Sequence, residues 1–405
     1  MATIKDSVHD HITVEGVAEA LLDTPPVQRL RRIVQLGTVG LVYPSANHTR
    51  FEHSLGVYHL ADRALGHLDI KGPKATRVRA AALLHDIGHA PYSHTIEPVL
   101  YRHTGKYHDE VADLVSEGAV ARALADHGVD PGRVAGLIAG EGELGQLVSG
   151  ELDVDRMDYL VRDAHHTGVP YGAIDHGRLV RELCFVDGEL VLDEGNVQAA
   201  ESLLLARALM NPTVYQHHVA RISRTMLRRG AERLIDDGID AERIRRMDDY
   251  AFHTALRDHE STRGIARRLD ERALLKRAVW AEYGAVPDEV LDADHTERRE
   301  MERAVAEAAE VDPETVLLDV PAEPEMTEST SRVLVNGEVR RLGEQSTLVS
   351  ALRVAQRDQW RLGVYAPKET AEAVGNAAVR VLGLELDGTL VRDVRTGVTT
   401  LDEFE

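Results

Sequence analysis

The chain holds a single cysteine, Cys184, among its 405 residues. No intramolecular disulfide can form, and no cysteine-built zinc site is available. Aromatic residues make up only 4% of a sequence that is 43% hydrophobic, so a sizeable core must be built from Leu, Val and Ala. Lysine is nearly absent: 6 Lys stand beside 41 Arg. Acidic residues outnumber basic ones 68 to 47, for a net charge of -21. Such a surface argues against general binding to a nucleic-acid backbone or an anionic membrane, but permits a local basic pocket for one small anion. The composition looks like that of a protein from a high-salt cytoplasm, with a merely acidic chain from a GC-rich genome as the alternative. No run of roughly 18 uncharged apolar residues occurs, so no membrane span is expected. Met1 to His11 lacks the apolar stretch of a secretion signal, and a soluble, cytoplasmic protein is the expectation.

Helical periodicity dominates to about residue 310. Val57–Leu65 is one such stretch, and Thr76–Leu84 is another that runs straight into His85 before Gly88 and Pro91 end it. Residues 183–193 read as a short hairpin turning at Asp187-Gly188. Near residue 315 the pattern changes. Thr315–Val320, Ser331–Val335 and Trp360–Tyr365 read as strands, 346–357 and 368–382 as helices, and Pro321–Glu325 as a loop. The expected fold is mainly α: a helical core over residues 1–310 and a small α+β unit over 311–405.

The most telling segment is His85-Asp86-Ile87-Gly88-His89, which sets a neutral imidazole beside a carboxylate, both suited to a divalent metal. A two-residue match is common by chance. Here His53 precedes it, in Arg50-Phe51-Glu52-His53-Ser54-Leu55-Gly56, and Asp155 follows, in Asp153-Val154-Asp155-Arg156-Met157-Asp158-Tyr159. Two His and two Asp from three separated segments fit a metal held in the core of a helical bundle. Arg50 and Arg156 are candidate phosphate clamps, because the guanidinium fork matches phosphate geometry. Asp155, Tyr159 and Asp163 are spaced i, i+4, i+8, so one helix face carries a candidate ligand, an aromatic ring and a second carboxylate. Arg207, Asn211 and Tyr215 repeat the spacing, although Pro212 must kink or interrupt that helix. The two faces read either as the walls of a nucleotide pocket or as the solvent sides of two amphipathic helices.

The order His…His-Asp…Asp resembles the ligand series of the HD phosphohydrolase superfamily. Asp23–Ile33, Gln35-Leu36-Gly37, Arg50–Ser54, His85–His94, Asp153–Asp163 with His165-His166, and Tyr215-Gln216-His217 are similar, in the same order, to motifs of its deoxynucleoside triphosphate triphosphohydrolase branch. The resemblance covers residues 1 to about 225 and implies an HD-domain helical bundle. It implies a divalent metal (Mn, Fe, Mg, Zn or Ni) on His53, His85, Asp86 and Asp155. It sets His89, His94 and His108 around the phosphates, with His94 as general acid and Glu97 orienting it. Tyr159 and Tyr215 match positions that pack on deoxyribose, Gln35 and Asp163 match 3′-hydroxyl contacts, and Leu36 and Gln216 match contacts near the base. Arg207 matches a phosphate contact, whereas Asn211 replaces a family His. Asp23, Gln28 and Arg31 match residues that read an activating guanine nucleotide in vertebrate members; Ala2 and Lys5 do not match their counterparts. The resemblance also implies a homo-oligomer, dimer or tetramer.

The expected activity is metal-dependent hydrolysis of a deoxynucleoside triphosphate to deoxynucleoside and tripolyphosphate. Two alternatives stand beside it: another HD phosphohydrolase activity, on a nucleoside monophosphate or cyclic nucleotide, and a non-catalytic nucleotide sensor or single-strand-binding scaffold.

Overall fold

The computed structural model describes residues 1–323 and 330–385. They form two compact units. The first comprises residues 1–220, 227–266 and 330–352; the second comprises 221–226, 267–323 and 353–385.

The first unit is the helical one, as expected. Its central helices are Arg50–His67, Gly72–Leu84 and Val154–Thr167. The first is started by a capping box, in which the Thr49 backbone N–H donates to Glu52 Oε2 at 2.6 Å. The second carries Pro73 in its first turn and ends in the buried run Ala80–Leu84. The third is capped by Asp153, whose carboxylate accepts from the Arg156 N–H at 2.8 Å, and it stops at Gly168 in the left-handed conformation. Leu55, Tyr58, Leu60, Leu83 and Met157 fill the core between them. An N-terminal hairpin pairs Ala2–Asp6 with Asp10–Val14.

The expected hairpin at 183–193 is present as Leu183–Val186 against Glu189–Leu192. It belongs to a four-stranded sheet completed by Arg332–Val335 and Glu338–Arg341. The second unit holds a three-stranded antiparallel sheet, with Arg361–Ala366 between Lys276–Glu282 and Leu317–Asp319. Val279, Leu362, Val364, Val374 and Ala378 form its core.

Two expectations are corrected. Residues 267–310 are not uniformly helical: Lys276–Glu282 is a strand, drawn into the second unit by its ladder to Arg361–Ala366. The division therefore falls near residue 267 rather than 310. Conversely, 330–352 joins the first unit, because Val333 pairs in parallel with Leu192. Of the expected 321–325 loop, Pro321–Glu323 is irregular, while Pro324 and Glu325 lie outside the described residues. No helix among the described residues is long and apolar enough to cross a membrane.

Candidate active site

The three central helices bring four chemically matched side chains together. His53 sits one turn into the Arg50–His67 helix, His85 and Asp86 continue the Gly72–Leu84 helix, and Asp155 lies in the first turn of Val154–Thr167. His53, His85 and Asp86 each place a ligand atom within 4.8 Å of the others. Asp155 Oδ1 stands 2.8 Å from His53 Nε2 and 3.8 Å from His85 Nε2, and closes the cluster from its more exposed side.

The ring orientations suit a metal. His53 spends Nδ1 on Asp158 Oδ2 at 2.8 Å, and His85 spends Nδ1 on the Ala82 carbonyl at 2.9 Å. Both imidazoles thus present Nε2 to the same point, with the Nε2 atoms 3.3 Å apart. A second nitrogen tied to a carboxylate or carbonyl is the usual support of a metal-binding histidine. The electrostatics agree. Burial opposes charge on His53, but Asp155, Asp158 and Asp86 overcome it and hold the imidazole up at about 10. Burial likewise works against Asp86, yet Arg50, His85 and His89 keep its carboxyl well below the usual range. Carboxylates set around two imidazoles, Asp86 and Asp158 buried and Asp155 at the opening, are a fitting seat for a divalent ion.

Sequence reasoning missed the support behind this cluster. Asp158 is fully buried and accepts from Arg162 Nε at 2.8 Å and His9 Nε2 at 2.6 Å, besides His53. Arg162 also donates to Asp6 Oδ2 at 2.9 Å, which ties the N-terminal hairpin to the ligand helix. Gly56 makes room for this network: a Cβ there would lie 1.9 Å from Asp158 Oδ1. The available signal was Asp158 itself, three residues after Asp155 within the same motif.

Beside the cluster lies a second group. His89, His94 and His108 place ring nitrogens within 4.8 Å of one another, and the His89 and His108 rings stack at 4.0 Å. Glu97 accepts from His94 Nδ1 at 3.0 Å and His108 Nδ1 at 2.6 Å, so it orients both. Burial, with Arg50 and His108 alongside, holds His89 well below the usual imidazole range, in its neutral form. His94 keeps 60% of its side chain exposed, and the crowding of its ring by neighbouring groups lowers its pKa only against the pull of Glu97. At His108 burial is outweighed by Glu97, and the pKa rises. Gly88 lets the chain pass beneath this group, since a Cβ there would meet the His108 carbonyl oxygen at 2.0 Å.

Arg50 is buried, with Nη1 donating to Asp86 at 2.8 and 2.9 Å and Nε donating to Ser93 at 2.8 Å. Arg156 lies by Asp153, Nε to Oδ2 3.5 Å. The rings of Tyr159 and Tyr215 are 6.4 Å apart, and Tyr159 is 6.5 Å from His53. Burial raises the Tyr159 phenol to about 12. Asp163 accepts from His48 at 2.8 Å and from the Tyr215 hydroxyl at 2.9 Å. Pro212 does interrupt its helix: Asn211–Tyr215 is a wide π-type turn following Val197–Met210, and it delivers Tyr215 to Asp163. Gln35 is buried, with its Oε1 lacking a hydrogen-bond partner. Leu36 packs half-buried on the core, Arg207 lies within electrostatic reach of both tyrosines, and Gln216 donates its backbone N–H to Asn211 O at 2.7 Å. Asp23 is exposed, Gln28 donates to Leu22 O at 2.8 Å, and Arg31 lies 3.5 Å over the Phe51 ring.

Comparison with known proteins gives a consistent result. The pattern described as HD domain matches residues 50–163, from the start of the His53 helix to Asp163. The HD associated region matches residues 174–393. An uncharacterized protein of Methanocaldococcus jannaschii is 34% identical over 383 residues, 91% of this chain and 80% of its own length. The deoxynucleoside triphosphate triphosphohydrolase SAMHD1 of Homo sapiens is 30% identical over 276 residues, 56% of this chain; the match spans 44% of the human protein. The crystal structure of a phosphohydrolase from Bacteroides thetaiotaomicron superposes with a TM-score of 0.74 at 25% identity, covering 91% of this chain and 100% of that one.

Proposed function

The chain belongs to the HD-domain phosphohydrolase family, and on that premise we propose that it hydrolyses deoxynucleoside triphosphates to deoxynucleoside and tripolyphosphate. The observation that carries the finer reading is the pair of rings, Tyr159 and Tyr215, packed beside the histidine–aspartate cluster. By the resemblance, these rings match positions that pack on deoxyribose, where a 2′-hydroxyl would clash. The buried Gln35 Oε1, with no hydrogen-bond partner among the described residues, suits an acceptor awaiting a hydroxyl of the substrate.

His53, His85, Asp86 and Asp155 would hold the divalent ion, whose mixed imidazole and carboxylate donors suit Mn, Fe, Zn, Ni or Mg. When bound, such an ion supplies polarisation of a phosphate oxygen and a water of lowered pKa. The protein's own groups do the rest. The water oxygen forms a bond to the α-phosphorus as the bond from that phosphorus to O5′ breaks; His94 delivers a proton to O5′, the water gives up a proton to solvent, and His94 takes one back from solvent. Glu97 accepts from His94 Nδ1 and fixes its ring. His108, its pKa raised by Glu97, and Arg156 supply charge for the phosphates. Asp163, already bonded to Tyr215, holds that ring in place and lies beside the sugar.

Product analysis on each dNTP and rNTP, in molar KCl with Mn or Mg, tests this. Deoxynucleoside and tripolyphosphate are expected from dNTPs, with rNTPs refused and with turnover lost in His85→Ala/Asp86→Ala. Phosphate release from a deoxynucleoside monophosphate, without tripolyphosphate from any dNTP, would replace this reading by the monophosphate one. Binding without turnover under every metal would replace it by a sensor. We further propose a homo-oligomer activated by guanine nucleotides through Asp23, Gln28 and Arg31. A specific activity on dATP that stays constant as GTP is added would sink the activation.

A further inference from the structure

One cavity runs against the acidity of the chain. It measures about 550 Å³ and opens between the Pro25–Arg29 helix and the Ala241–Arg245 helix. Arg29, Arg32, Arg243 and Arg246 line it, against the single carboxylate of Asp248. Four guanidiniums around one small cavity are a conspicuous concentration in a protein of net charge -21. Its volume lies in the range of small-molecule sites, about 300–1,000 Å³. Prolines, a leucine and a methionine complete the wall and offer an apolar surface beside the charge.

The arginines divide into two kinds. Arg29 is structural: it donates to Met247 O at 2.7 Å and to Ile87 O and His89 O at 2.8 Å each. The others face solvent. Arg243 is exposed, and its side chain makes no hydrogen bond or ion pair among the described residues. Arg32 and Arg246 are half-exposed and rest on Asp248, and on Asp113 and Glu242, respectively. Half-exposed pairs of this kind exchange partners at little cost. Arg31 points elsewhere, over the Phe51 ring, so the cavity is separate from the face of Asp23, Gln28 and Arg31.

We propose that this cavity binds a polyphosphate chain, either free or as the tail of a nucleoside triphosphate. Three mobile guanidinium forks match the several oxygens of linked phosphates better than a single carboxylate or orthophosphate. The site backs onto the metal loop: Ile87 lines the cavity, and Arg29 joins its floor to the carbonyls on either side of Gly88. An occupant therefore bears on the segment that carries Asp86 and His89. The inference stands whether or not dNTPs are the substrate.

The experiment is calorimetric titration of inorganic tripolyphosphate, and separately of dATP, into the full chain carrying His85→Ala/Asp86→Ala in chelator, which removes metal-dependent binding at the active site. One saturable site is expected, weakened at least tenfold by adding Arg243→Glu and again when Arg32→Glu is added instead. Far-ultraviolet circular dichroism confirms that each variant is folded; both positions are exposed enough to tolerate the change. Equal affinity for the two probes assigns the free phosphate chain, and binding of dATP alone, sensitive to Arg243, assigns a nucleotide. No saturable binding of either probe, or binding that neither arginine variant alters, overturns the proposal.

Discussion

Gly88→Ala isolates the histidine group from the metal cluster. The added methyl would sit 2.0 Å from the His108 carbonyl oxygen and 2.9 Å from Val111 Cγ1. Real Cβ atoms stay beyond 3.0 Å, and the obstacle is backbone, so one of the two segments must retreat by about 1 Å at least. The movement falls on His108, whose ring and N–H both bind Glu97, at 2.6 and 2.9 Å, and through Glu97 it reaches His94. A misplacement of about 1 Å in a catalytic constellation costs about a hundredfold in rate. Overpacking of this kind also destabilises by about 1–3 kcal/mol. The metal donors are anchored elsewhere, His85 on Ala82 O, His53 on Asp158, and Asp155 in the Val154–Thr167 helix. The expected result is therefore about a hundredfold loss of kcat with metal content unchanged, read by tripolyphosphate release and elemental analysis, with a melting temperature lowered by a few degrees. His108→Ala should reproduce the rate loss, and the double variant should add little to it. Wild-type turnover in a folded Gly88→Ala protein would refute the argument that this close approach positions the histidines.

Asp158→Asn keeps the shape of a fully buried carboxylate but removes the charge that faces His53, His9 and Arg162; metal affinity should fall about 10–100-fold, and chelator competition that matches wild type would disprove the supporting role. Acid sensitivity should trace to His59 and His166. Burial, helped by His9 and Arg63 at one and by His48 at the other, holds both at about 4, against 6.5 when unfolded. Between those values the unfolded chain binds more protons than the folded one, so stability falls as pH drops from about 6.5 to 4. The fall in melting temperature from pH 7 to 5 should shrink in His59→Asn/His166→Asn; an identical fall would rule these residues out. Net charge -21 predicts a melting temperature that climbs between 0.1 and 1 M KCl, as the screening length shortens from about 10 to about 3 Å, and a flat profile would count against a high-salt adaptation.

The histidine–aspartate cluster was legible because its members belong to short local patterns: a helix that runs into His85-Asp86, and Asp155 in the first turn of a helix capped by Asp153. The periodic helices and the 183–193 hairpin were legible for the same reason. What the sequence concealed depends on partners far along the chain. Lys276–Glu282 becomes a strand only because Arg361–Ala366 pairs with it, and nothing within those seven residues announces that partner. The link from His9 to Asp158 joins positions 149 residues apart. Arg50 has the chemistry of a phosphate clamp, yet the fold also sets it against Asp86 and Ser93, contacts that spacing alone does not reveal. The cavity arginines come from two segments more than 200 residues apart, and each segment alone reads as a charged helix surface.

The wide turn at Asn211–Tyr215 is, in effect, one residue more than a regular helix would need. Removing a single residue from it would restore ordinary winding and swing Tyr215 by about 100° around the axis, away from Asp163. The metal donors, all carried by other segments, would be untouched. On the proposed reading, the Tyr215 wall of the pocket and the metal donors therefore sit on separate segments, and a one-codon deletion in this turn would change that wall while leaving the donors in place.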